Sequence, residues 1–600
     1  MSAPAIDQPP ALGVRSSFTG QCWRLADADD RLVQAMVQRH GLPDIVARLL
    51  ACRGVDIETA ADFLNPTIRT MLPALPALRD LDRACERLVR AIAGGETVAV
   101  FGDYDVDGAT SSALMLRFLR AVGASPLYYV PDRIREGYGP NAEAMRHLRA
   151  QGASVVVTVD CGTTATAPLA AAREAGLDVI VVDHHQADAA LPPCAALVNP
   201  NRQDEDLGLQ DQFRSLAAVG VAFLLVAGVN SALQAAGWFG QRPRPNPLDW
   251  LDLVALGTVC DVVPLNGLNR ALVAQGLKVM ARRGNPGLAA LADVAGMTEP
   301  PGTYHAGFQL GPRVNAGGRV GRSDLGTRLL STDDPVEARV IAEELDRLNE
   351  ERKAIEQMVQ EAAVAGLESA GRDEMILVAS GEGWHPGVIG IVAGRLKEKY
   401  RRPTFVIAVE GGIGKGSGRS VMGVDLGAAV RAAAQAGLLE NGGGHSMAAG
   451  LTVREERIPE LRAFLAAHLA SRVAAGGEAS ALRVDSLLTV AGATPALIDL
   501  LEQAGPYGAG HREPRFALPQ ARLVKADVVG ENHVRCILSG RDGGRLKAIA
   551  FRAMDGPLGP ALLTAARNGT PLHVAGHLRA DRWMGRVEAQ LMIDDAAAIL

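Results

Sequence analysis

The chain has 600 residues, of which 48% are apolar, 21% charged and 4% aromatic, with a formal net charge of −6. That length corresponds to about four domains at roughly 150 residues each, and the apolar content supplies several cores, which excludes a disordered chain, a collagen-like chain and a small disulfide scaffold. The negative balance excludes a globally basic nucleic-acid coat but leaves a local basic groove open, because binding follows the local field.

The start, MSAPAIDQPPALGVRSSF, has no basic opening and no apolar core, so no leader peptide is expected. Residues 1–20 read as a loose tail, and the tail region is drawn as 1–40. Helical periodicity dominates 40–95, as in LPDIVARLL and LDRACERLVRAIAGG. Then short apolar runs alternate with helices: TVAVFGD (97–103) precedes SSALMLRFLRAVG, SVVVTVD (154–160) precedes TATAPLAAAREAG, and LDVIVVD (177–183) follows. Such alternation predicts an α/β domain, 41–330, with a parallel sheet covered on both faces. Each run ends in an acidic residue at the carboxyl end of its strand, where open α/β sheets bind ligands. Ser215 to Gln241 carries no charge, but its apolar run is broken by Ser, Asn, Gln and Gly, so a buried core helix is expected and no membrane span.

Residues 334–369 read as one charged helix with apolar positions 336, 340, 341, 345, 348, 355, 358, 359 and 362, and 331–370 is expected to connect two lobes. A second α/β domain, 371–460, opens with EMILVAS and RRPTFVIAVE and is glycine-rich near 411–450. Short β runs (HVRCILSG, RLKAIAF, PLHVAGHL, VEAQLMID) predict a small β-barrel over 470–600. Residues 505–600 hold 13 Lys/Arg against 9 Asp/Glu, a net of +4 that leaves −10 for the rest. A barrel more basic than its surroundings, with Phe516, Phe551 and Trp583, is expected to serve as a single-strand platform. Seven cysteines (22, 52, 85, 161, 194, 260, 536) form no Cys-x-x-Cys pair, which reads as reduced thiols in a cytoplasmic protein.

Phe101-Gly-Asp-Tyr-Asp-Val-Asp-Gly108 sets three carboxylates at alternate positions after a strand, a spacing that converges side chains on one cation. An EF-hand loop opens in the same way, but its twelfth-position Glu is Leu114 here. Standing alone, the stretch also reads as an acidic turn capping a helix. Asp183-His184-His185 follows the third apolar run, Asp160 ends the second, and Asp261 ends the apolar segment GTVCDVVPL. So many carboxylates at one edge repel one another without cations, and oxygen-rich sites with an imidazole suit Mg²⁺ or Mn²⁺. Cys161 and Cys260 adjoin these residues and read as packing, since thiolates select softer metals.

In this order, DYDVDG, TVDCG, DHH, GTVCDVVPL and GPRVNAGGR resemble the DHH phosphoesterase superfamily, nearest its single-strand-specific DNA exonucleases. WHPGVIGIVAGRL (384–396), GSGRS (416–420) and GGGHSMAAG (442–450) resemble the DHH-associated domain, and the C-terminal segment is similar to the family's OB-fold. Two departures stand out: Phe101 where pyrophosphatase-type relatives have His, with Asp103 taking that ligand role, and His511 where Asn is expected. The resemblance implies two Mn²⁺ or Mg²⁺ ions, with Asp103 and Asp105 on one, Asp107 and His184 on the other, Asp160 bridging and Asp261 completing the set. It implies Asp160 and His185 as catalytic groups, His185 facing the scissile phosphate. Arg133, Arg313, Asn315 and Arg319 would contact phosphate, and Ser417, Arg419 and His445 would grip the strand end. The implied activity is 5′-to-3′ hydrolysis of single-stranded DNA to 5′ mononucleotides in repair and recombination, by a cytoplasmic monomer working with a helicase and a single-strand-binding protein. Two other readings are a phosphodiesterase of short oligonucleotides or cyclic dinucleotides, which the extra barrel disfavours, and a non-catalytic replication scaffold, which the complete ligand set disfavours.

Overall fold

The computed structural model describes residues 9–72, 74–75, 78–206, 208–370, 375–475, 481–583 and 586–599. It divides into two compact units: Met71–Gly477, and a second built from both chain ends, Met1–Thr70 with Glu478–Leu600.

The unit Met71–Gly477 opens on a five-stranded sheet of β1 (Val98–Gly102), β2 (Leu127–Tyr129), β3 (Val155–Val159), β4 (Asp178–Val182) and β5 (Ala196–Val198). The order is β2-β1-β3-β4-β5 and every pairing is parallel. β1 and β3 are buried at every position, which is why they read as continuous apolar runs rather than alternating ones. Helices α1 (Val106–Ala121), α2 (Ala142–Ala150) and α3 (Thr166–Glu174) follow β1, β2 and β3 in the expected alternation. α4 (Ala218–Ala235) is the uncharged segment. Among the described residues it alone is long and apolar enough to cross a membrane, and 72% of that window is buried inside the fold. α5 (Leu251–Cys260) is buried from Leu251 through Thr258 and ends at Asp261, its C-cap. Asp261 thus terminates a helix, unlike Asp103, Asp160 and Asp183, which follow strands. α6 (Gly311–Val320) carries GPRVNAGGR.

α7 (Pro335–Ala370) runs 36 residues. Its first half buries Ala338, Ile341, Ala342, Leu345 and Leu348. Its second half adds Val359, Ala363 and Leu367 to a core with Leu377, Val388, Val392 and Val406. Three positions placed on its apolar face by spacing, Val336, Val340 and Met358, are exposed, because a helix that serves two lobes changes its buried face along its length. The second sheet contains β6 (Leu377–Glu382), β7 (Thr404–Glu410), β8 (Ile413–Arg419), β9 (Asn441–Gly444) and β10 (Ala448–Arg454) in the order β9-β10-β8-β7-β6, with only β6–β7 parallel. The glycines Gly442–Gly444 lie in strand β9. At Gly418 on β8, an added Cβ would sit 2.4 Å from the Phe405 ring, so the strand lies flat on β7 only because glycine is there.

In the other unit, strands Arg515–Val529, His533–Ser539, Arg545–Ala550, Arg586–Ala598 and Leu572–Trp583 pair in that order, and the first pairs again with the last. The sheet therefore closes into the expected barrel and leaves no open edge among the five. Phe516 belongs to the core with Leu518, Val534, Leu538 and Leu591, so it offers no stacking surface. Phe551 is 57% exposed, and the side chain of Trp583 lies outside the described residues. Residues 22–40, grouped with the tail by composition, are folded. Cys22–Leu25 pairs in parallel with Ala481–Val484, Trp23 is fully buried and its Nε1 donates to Asp595 at 2.9 Å. Helix Asp30–His40 packs Val33 and Met36 against Val46 and Leu50.

Candidate metal centre

The first turn of α1 and the ends of β1, β3 and β4 deliver the acidic residues. Asp103 follows β1. Asp105 caps α1 and accepts the Gly108 N–H at 3.0 Å, and an added Cβ at Gly108 would lie 2.4 Å from the Asp103 carbonyl oxygen, so the turn is as tight as glycine allows. Asp107 lies within α1, not in an extended run. Its carboxylate accepts the N–H groups of Ala218 (2.6 Å) and Val219 (2.9 Å) at the start of α4, where unpaired N–H groups and the helix dipole favour an anion. Asp160 takes φ = 61°, a left-handed conformation that costs a non-glycine residue about 1 kcal/mol or more. Its N–H donates to Val182 and its carbonyl accepts the Tyr138 hydroxyl at 3.0 Å.

The donors fall into overlapping sets: Asp103, Asp105 and Asp160; Asp107, His184 and Asp261; and Asp160, His184 and His185. Within each set the ligand atoms lie within 4.8 Å of one another. His184 Nδ1 donates to the Leu216 carbonyl at 3.1 Å, which leaves Nε2 as the free lone pair, 3.4 Å from Asp160 Oδ1. Asp103 Oδ1 and Asp261 Oδ2 are buried with no hydrogen-bond partner. Burial, then repulsion from Asp261, pushes Asp107 up to about 7. Burial, then Asp105, does the same to Asp261. Burial followed by neighbouring carboxylates raises Asp103 and Asp160 well above the usual range. Orphaned carboxylate oxygens, mutual repulsion and one imidazole lone pair fit divalent Mg²⁺ or Mn²⁺.

Asp183 stands behind the set. It accepts N–H groups from Thr163 (3.0 Å), His184 (2.8 Å) and His185 (3.2 Å), and lies 2.7 Å from His185 Nδ1. Burial alone would raise Asp183, but the His185 bond and charge hold it below the carboxylate range. Burial would likewise depress His185, and Asp183 instead carries it up to about 9. Asn199 donates to Thr163 Oγ1 and to the His185 carbonyl, both at 2.8 Å, and Asn201 donates to the His184 carbonyl at 2.6 Å. Asn199 and Asn201 escaped sequence reading, although LVNPN repeats the signature of a polar residue just past a strand. Tyr138 left no such signal.

Two of the expected phosphate contacts, Arg133 and Arg319, and the expected strand-end residue Arg419 form a cationic group with no carboxylate ion pair among the described residues. Arg133 stacks over the Tyr104 ring at 4.9 Å. Arg319 Nη1 donates to the Gly387 carbonyl at 3.0 Å, and burial, then Arg133, lowers Arg319 to about 10. Arg419 Nη1 donates to Ser417 Oγ at 3.1 Å, and burial followed by Arg133 lowers it too. Asn315 is half-buried on α6, and the His445 side chain is exposed after β9. Arg313 is placed differently. Asp346 on α7 engages its Nε at 2.8 Å and the Gln309 carbonyl takes its Nη1, since six helical residues turn Arg319 about 240° away from it.

Residues 97–258 match the DHH family, N-terminal domain, 373–471 the DHHA1 domain, and 484–595 the RecJ OB domain. The single-stranded-DNA-specific exonuclease RecJ of Escherichia coli (strain K12) is 37% identical over 568 residues, 92% of this chain and 96% of that protein. The RecJ of Bacillus subtilis (strain 168) is 33% identical over 581 residues, 96% of this chain and 70% of that protein. The crystal structure of Thermus thermophilus RecJ with Mn²⁺ superposes with a TM-score of 0.79 at 31% identity, covering 96% of this chain and 79% of that one. Its Mg²⁺ complex gives 0.73 at 28%. With three family models matching along its length and relatives at 33–37% identity over 92–96% of it, the chain belongs to the RecJ family of single-stranded-DNA-specific exonucleases.

Proposed function

We propose that the chain hydrolyses single-stranded DNA from its 5′ end to 5′ mononucleotides, in DNA repair and recombination. The observation that carries the reading is that Asp160 and His184 are each shared between donor sets, an arrangement for two ions. Asp103, Asp105 and Asp160 would hold one, and Asp160, Asp107, His184 and Asp261 the other; bound there, the pair would supply an activated water and neutralise the attacking and leaving oxygens.

The chain's own residues supply the rest. The α4 N–H groups fix Asp107, and Asp183 fixes His185 so that the ring stands beside Asp160 and His184, facing the scissile phosphate as a donor. Arg133, Arg319 and Arg419, with Asn315, Ser417 and His445, grip the phosphates, and a guanidinium suits them because its planar fork bonds two oxygens at once. A single strand bends into such a site where a stiffer duplex does not. We assign hydrolysis to 41–330, strand-end gripping to 371–460 and strand binding to 470–600, with 331–370 as the connector. We place the enzyme in the cytoplasm as a monomer supplied by a helicase and a single-strand-binding protein.

The test is product analysis on 5′- and 3′-labelled long single strands, duplexes and dinucleotides, with Mn²⁺ and Mg²⁺ compared. Mononucleotides released from the 5′ end of single strands are expected, and Asp160→Ala is expected to cost at least about 1,000-fold in kcat. Release from the 3′ end overturns the polarity, and retained activity in D160A overturns the two-ion site.

A further inference from the structure

A turn packed on the end of α5, the helix that stops at Asp261, carries a pair of aromatic rings that the proposed hydrolysis does not use. After Pro300-Pro301-Gly302, the chain makes one π-helical turn, His305–Leu310, before entering α6. Such turns are rare and concentrate at functional sites. The turn buries Ala306 and Leu310 but leaves Phe308 73% and Tyr304 46% exposed. Their rings stack at 5.4 Å with 25° between planes, a flat apolar step on the surface of a chain with only 4% aromatic residues.

The position of this step is fixed. Cys260 Sγ donates to the Ala306 carbonyl at 3.5 Å, and an added Cβ at Gly307 would meet Val259 at 3.4 Å. The turn therefore rests on the last residues of α5, directly before Asp261. Val262, next in the chain, holds φ = 60° and is 71% exposed. On its other side the turn continues into α6, which bears Asn315 and Arg319. The turn that carries the rings thus joins the end of α5, which stops at Asp261, to α6, which bears Arg319.

We infer that Tyr304 and Phe308 form a ledge on which nucleobases of the substrate strand stack as its backbone crosses the metal centre. The inference rests on the nuclease reading above. A nucleobase is the occupant this chemistry favours: phosphates held on one flank bring bases to the other, and every base offers a π-face, so the ledge holds strands without regard to sequence.

The experiment compares a 5′-phosphorylated thymidine strand with the same strand carrying consecutive abasic positions, in Mn²⁺. Phe308→Ala and Phe308→Leu are expected to raise KM on the thymidine strand about 5-fold or more with kcat little changed. Phe308→Trp is expected to match the wild type. On the abasic strand the wild type should already show the high KM, and F308A should add nothing. Unchanged KM on thymidine, or an equal rise on both strands, overturns the ledge and leaves the exonuclease reading standing. Should the wild type release no nucleotide, the exonuclease reading fails instead, and anisotropy binding of the two strands judges the ledge. Affinity lost in F308A for thymidine alone keeps it; equal affinities overturn it.

Discussion

Two histidine–carboxylate pairs in this chain share one bond and differ in what surrounds it. At the rim of the first sheet, His185 Nδ1 lies 2.7 Å from Asp183; on the barrel, His577 Nε2 lies 2.9 Å from Asp594. In both, burial works against the charged imidazole, and the carboxylate more than reverses it. Asp183, however, is 1% exposed and filled by backbone N–H groups, so it cannot turn, and the ring attached to it is aimed. Asp594 also takes Arg515 Nε at 2.8 Å, and His577 offers its second nitrogen to the Pro514 carbonyl at 3.2 Å. With an acceptor at each nitrogen, that ring is a cross-tie between strands, and Asp594 favours its protonated form. The same bond aims a ring in one region and ties strands of a barrel in the other, and the difference lies in the remaining lone pairs.

Removing the carboxylate should separate the two roles. Asp183→Asn is expected to weaken Mn²⁺ binding about 10- to 100-fold by calorimetric titration, because Asp183 also accepts the backbone N–H of His184 and so holds a proposed ligand from behind, with a smaller change in thermal midpoint. Undiminished Mn²⁺ affinity would break the comparison. Asp594→Asn should do the reverse, lowering barrel stability by about 1–3 kcal/mol in denaturant unfolding while Mn²⁺ affinity stays as it was. The smallest effect is on pH dependence. His577 is raised above its ordinary value of 6.5, so its contribution is complete below that pH and fades as the pH climbs through the shifted value. Asp594, lowered from 3.8, contributes above its ordinary value and fades as the pH falls through the depressed one. The barrel should therefore be most stable between roughly pH 4 and 6.5, and His577→Gln should remove the decline on the alkaline side. An unaltered stability profile would sink the cross-tie.

The parts legible in the sequence are those with local or periodic signatures. Asp103, Asp160 and Asp183 each stand one residue past an apolar strand, and the connecting helix and the short barrel strands announced themselves by spacing. What stayed hidden depends on partners far away along the chain. Nothing near Arg313 marks Asp346 as its partner, and nothing near His577 marks Asp594. The segment ending at Asp261 reads only as apolar, because a fully buried helix and a fully buried strand are both unbroken apolar runs. The segment 22–40 looked like a tail because its strand finds its neighbour at Ala481–Val484.

That last pairing has a consequence for biosynthesis. Trp23 and Asp595, bonded across 572 positions, cannot meet until almost the whole polypeptide has left the ribosome, whereas Met71–Gly477 has all its own strands well before then. The opening strand and its tryptophan must wait, unsatisfied, through most of translation. A message cut short before the final strand would yield a chain that keeps Ala481–Val484 but lacks Asp595, so the buried indole N–H of Trp23 would be left without its acceptor.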